Sequence, residues 1–123
     1  MKQLIWSLII IAAVFVGQFI ALNNSLVLRS PVFHIGIHVL GGLGIALLFS
    51  GLVKSLNLSR LSRYLVPIGG VILTGLIWEM IEAYFNITGF RLWTDAYYLD
   101  ALKDVLNDLI GGVAALFIVN RRS

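Results

Sequence analysis

Cysteine is absent from the 123 residues, so no disulfide framework and no thiolate metal site can form, and any metal would rest on imidazole and oxygen ligands. Charge is scarce as well. Only 12% of the residues are charged against 59% hydrophobic, and a mean hydropathy of +0.96 puts the chain among integral membrane proteins. Acids are the scarcest group: six in all, none before Glu79 and none after Asp108. The net charge of +3 comes from basic residues at segment ends, where membrane topology accounts for them, so it gives no reason to expect a nucleic-acid partner. No internal repeat and no low-complexity tract interrupts the sequence.

What fills the chain is four apolar stretches of spanning length. The first covers residues 4–22; it is long for the apolar core of a signal peptide, and Ile20-Ala21-Leu22 lacks a small-x-small cleavage pattern, so an uncleaved span is expected. The second covers 31–53, opened by Ser30 as N-cap and Pro31 at the first helical position. Residues 54–64 read as an amphipathic interfacial link. The third span covers 65–85 with Pro67 in its first turn, and the fourth covers 100–119 after an aromatic-rich loop suited to the membrane interface. The expected fold is all-α, a four-transmembrane-helix bundle forming a single transmembrane domain over residues 1–123. Lys2, Lys54, Arg60, Arg63, Arg121 and Arg122 fall on one side, against Arg29, Arg91 and Lys103 on the other, which predicts N-in/C-in topology with both termini cytoplasmic in the cell membrane.

Alternating helix direction converts sequence position to depth at about 1.5 Å per residue. On that conversion the polar residues share one level. His34 and His38 lie near the outer start of span two, Glu79 and Glu82 near the outer end of span three, and Asp104 and Asp108 near the outer start of span four, with Asp100 at the rim. Spacings of three and four put each pair on one side of its helix, continuing stripes of glycine and alanine that line helix contacts in membranes. A carboxylate at the centre of a span costs about 2.5–3.5 kcal/mol on insertion scales, so these groups need partners.

Two imidazoles and four carboxylates form an N/O ligand set suited to Zn, Mn or Fe, so His34, His38, Glu79, Glu82, Asp104 and Asp108 are the candidate metal ligands. Glu79 or Asp104 is then the candidate general base for water activated on the metal, with a lipid or lipid-linked substrate entering laterally from the bilayer. The Glu-x-x-His unit of carboxylate-bridged metals in four-helix bundles is missing. Other readings stay open: rim histidines and acids bonded to water, a metal-free network including Lys103, a proton- or cation-binding transport protein with Gln18 or Thr74 continuing a path inward, or an assembly subunit that forms a homodimer through its glycine faces. Trp78, Trp93 and the tyrosines are expected to serve the interfacial belt and packing.

The run Tyr98-Leu99-Asp100-Ala101-Leu102-Lys103-Asp104-Val105-Leu106-Asn107-Asp108-Leu109-Ile110-Gly111-Gly112, with Trp78-Glu79-x-x-Glu82 before it and His34 on an earlier span, resembles the small YjdF-like membrane proteins and, more loosely, VanZ-like proteins. The resemblance implies a site at His34, Glu79 or Glu82, Asp100, Asp104, and Asn107 or Asp108, without implying an activity. This chain departs from it in being shorter than a typical YjdF-like protein and in carrying His38 as a second histidine.

Overall fold

The computed structural model describes residues 2–24 and 30–121, so Arg29 and Arg122, used above to orient the chain, lie outside the described residues. Four helices make up the fold: α1 (Lys2–Asn23), α2 (Pro31–Ser55), α3 (Ser62–Tyr84) and α4 (Asp95–Asn120). Three of them, α1, α2 and α3, are long and apolar enough to cross a membrane; α4 spans 26 residues but carries Asp95, Asp100, Lys103, Asp104 and Asp108.

Helix starts follow local chemistry. The Ser30 side chain accepts from the Phe33 N–H at 3.3 Å with Pro31 just inside, and the Thr94 side chain accepts from the Tyr97 N–H at 3.3 Å with Asp95 in the first turn. The Thr94 cap starts α4 five residues before the expected span, absorbing part of the loop. The expected link 54–64 shrinks to the six residues between Ser55 and Ser62, and α3 begins early enough that Pro67 falls in its second turn.

α2 is central, packing against each of the other three helices, and its closest partner is α4. These two helices run parallel: His34 meets Asp104 and His38 meets Asp108, each across a separation of 70 residues. Glycine sets their approach. A Cβ on Gly42 would collide with the Asp108 backbone, and one on Gly111 with the Val39 carbonyl and Leu43 nitrogen.

Polarity is arranged for a hydrocarbon solvent. Phe15, Phe19, Leu73 and Phe117 stand out from the bundle, whereas Glu82 and Asp104 are among its most completely buried large side chains. Beyond the acids, Ala46, Leu47, Val71 and Ala115 form a dry apolar core.

Gly111→Ala is expected to force α2 and α4 apart and lower the melting temperature in detergent, by the equivalent of about 1–3 kcal/mol of overpacking. Gly69→Ala, with nothing within 4 Å of its added Cβ, is the control and should leave thermal unfolding unchanged.

Candidate functional site

Three helices deliver the site. α2 supplies His34 and His38, one turn apart and in edge-to-face contact with ring centroids 4.8 Å apart; α3 supplies Glu79 and Glu82; α4 supplies Asp104 and Asp108. All except His34 are buried, and His34 retains only 16% side-chain exposure.

The His38 ring is held from behind. Its Nδ1 lies 3.1 Å from Asp108 Oδ1, a contact that orients the ring, while Nε2 is buried without a hydrogen-bond partner. Nε2 lies 3.7 Å from Asp104 Oδ2 and 3.9 Å from Glu79 Oε1, too far for hydrogen bonds. Asp104 Oδ2 also pairs with His34 Nε2 at 2.9 Å. Glu82 is clamped by two donors on its Oε1, the Trp78 indole N–H at 2.9 Å and the Gln18 amide at 3.1 Å.

Those bonds leave particular atoms unspent. His38 Nε2, Glu79 Oε1 and Glu82 Oε2 are buried without a hydrogen-bond partner. His38, Glu79, Glu82 and Asp104 each offer a ligand atom such that all four lie within 4.8 Å of one another, and His34, His38 and Asp104 form a second, overlapping group. Four atoms about a common point are a cation's coordination shell in outline, from donor types that suit Zn, Mn or Fe.

Of the six sequence candidates, His38, Glu79, Glu82 and Asp104 surround this centre, His34 flanks it through Asp104, and Asp108 stands behind His38 as its orienting carboxylate. Lys103 does not join them: its side chain is 64% exposed and bridges Asp100 at 3.4 Å, outside the buried group. Gln18 and Trp78 are site residues that their sequence context disguised. Trp78 lies one turn before Glu82, a spacing that could have flagged its indole as a donor to the carboxylate. Gln18 was visible as the lone strongly polar residue inside span one, but its partner is 64 residues away.

Replacing Asp104 with alanine leaves His34 Nε2 without its partner and removes one wall of the centre, so Asp104→Ala should destabilise the protein by about 1–3 kcal/mol in detergent. Asp100→Ala breaks a pair with the largely exposed Lys103 outside the buried group and should cost less stability than Asp104→Ala. Thermal unfolding of the two variants beside the parent checks both, and equal losses would remove Asp104 from the site.

No curated protein and no solved structure matches the chain. The family that does match covers residues 2–123, and its description carries membrane character without naming YjdF-like or VanZ-like relatives. The apolar helices around a buried acidic interior agree with that description, and the chain belongs to the family of predicted membrane proteins designated DUF2238.

Proposed function

We infer that this is a four-span membrane protein, N-in and C-in, that binds a divalent cation between α2, α3 and α4 in the extracytoplasmic half of the bilayer. The observation that carries this reading is that His38, Glu79, Glu82 and Asp104 each bring a ligand atom within 4.8 Å of the others, while His38 Nε2, Glu79 Oε1 and Glu82 Oε2 are buried without hydrogen bonds. Several carboxylates packed together away from water repel one another, and among the described residues the cluster has no Lys or Arg ion-pair partner. A bound Zn, Mn or Fe ion offsets that charge. Asp108 behind His38, and the Gln18 and Trp78 donors on Glu82, are the supporting contacts that fix ligand orientation in metal sites.

Such a centre lends itself to hydrolysis of an ester in a lipid or lipid-linked substrate: water adds across the bond, its proton passing to a carboxylate such as Glu79 while the leaving oxygen is protonated. Transport of a proton or cation is the second reading, favoured by the His34–Asp104 and His38–Asp108 pairs. A transport path would have to continue toward the other face. There the apolar plug of Ala46, Leu47, Val71 and Ala115 lies beyond the acids, which supports a site served from one side.

Elemental analysis of protein purified without chelator or metal-affinity resin tests the cation. Near-stoichiometric Zn, Mn or Fe is expected in the parent and should vanish in His38→Ala and Glu79→Gln; a metal-free parent overturns the reading and turns attention to proton flux in liposomes. The absence of native cysteine makes topology separately testable. Asn86→Cys should react with an impermeant thiol reagent from outside intact cells and Ser59→Cys should not; the reverse pattern overturns N-in/C-in.

A further inference from the structure

α1 and α3 flank a gap. Their Cα atoms stay more than 8 Å apart, and long side chains alone connect them: Phe15 meets Trp78 edge to face at 5.9 Å, and Gln18 reaches Glu82. Between these helices, over the face of α2, lies a cavity of about 100 Å³. It runs from Gln18, Ile37 and His38 at one end to Ile11, Ile45 and Val71 at the other, and the surface turned toward it is almost wholly apolar, because the Gln18 amide and the Trp78 indole N–H are spent on Glu82 and His38 Nδ1 on Asp108. Gln18 to Ile11 and His38 to Ile45 are each seven residues, so the cleft extends about 10.5 Å along the axis.

We propose that this cleft is a binding site for one alkyl chain of a membrane lipid, seated with its polar end toward His38 and its tail toward the bilayer midplane. The proposal rests on the reading of the His/carboxylate group as a site serving lipid-linked substrates, and it names the substrate's recognised part as the hydrocarbon chain. An almost wholly apolar lining matches methylenes, and the end at His38 adjoins the acidic centre, which fixes the direction in which a chain with a polar end would lie. Size agrees, because the cavity, at about 100 Å³, is smaller than the dry apolar cavities of about 150 Å³ that take up benzene, so it admits a few methylenes of a chain and excludes a helix. Continuity agrees as well: His38 and Asp108 belong to the wall of the cleft and to the acidic centre together, placing a headgroup bond beside the ligand atoms.

Gly41 provides the means to close the cleft. It lines the cavity, and a Cβ there would meet its nearest atoms, Asp108 Oδ1 and Val14 Cγ1, at ordinary separations of 3.9 and 4.0 Å. Alanine therefore fits, and a leucine projects into the slot. Gly36, with nothing within 4 Å, offers a position for the same leucine outside the cleft.

The test uses the full chain in phosphatidylcholine nanodiscs doped with a phospholipid that carries a diazirine near the end of one acyl chain. After photolysis, residue-level mass spectrometry should find Ile11, Val14, Ile45 and Val71 labelled several-fold above the outward-facing Ile9, Leu40 and Leu73. Gly41→Leu should abolish the enrichment, as should Val14→Phe from the opposite wall, whereas Gly41→Ala and Gly36→Leu should keep it. Even labelling around the bundle overturns the proposal, as does enrichment that survives both cleft-filling variants, or a chain-to-chain crosslink at these positions, which would mean that a second copy fills the gap. Metal content measured on the same samples separates the two readings. Enriched labelling on metal-free protein supports the chain site and overturns the cation; metal with even labelling does the reverse.

Discussion

Carboxylates inside hydrocarbon are the constraint on which this structure depends. A bundle of apolar helices in lipid gains little from burying its leucines, since the surroundings are as apolar as the core, so packing and polar contacts must specify how the helices meet. Here those contacts come in two kinds. Glycines let α2 and α4 approach until backbone meets backbone, and the acids of α3 and α4 then find the histidines of α2 and the amide and indole that reach Glu82. Neither works alone: without the glycines the side chains would not reach, and without the side chains the acids would stand unpaired.

The same contacts divide the acids by task. Asp108 spends an oxygen holding His38, and Glu82 spends one on Trp78 and Gln18, so both help set geometry. Glu79 Oε1 and the second oxygen of Glu82 are left without hydrogen bonds, in residues that cluster with His38 and Asp104. A network meant only to hold the bundle together would satisfy its buried groups; this one holds several in position and leaves them unmatched.

Much of this was legible in the sequence because hydrocarbon demands long apolar runs, and runs of that length leave few other structures. Depth was legible too, since alternating helices put His34, His38, Glu79, Glu82, Asp104 and Asp108 at one level. The start of α4 was not, because Thr94 sits among aromatics that read as loop until its cap to Tyr97 is seen. The division of labour among the acids was also hidden. Helical periodicity says that His38 and Asp108 can share a level, but which oxygen faces which ring nitrogen depends on rotamers that only packing decides. Gln18 illustrates the limit: sequence shows an isolated amide in an apolar span, and a contact 64 residues away explains it.

The parallel pairing of α2 with α4, set by a constant separation of 70 residues, also orders events in time. Chains enter the membrane from the N-terminus, so α2 arrives with its two histidines before their carboxylates exist, and α3 follows with two acids of its own. α4 comes last and carries the heaviest load of charge, making it the helix least suited to cross on its own hydropathy. Docking therefore matters most to α4: the histidines of α2 give its acids their partners, so the seating of this helix in the bundle and the assembly of the site become a single step.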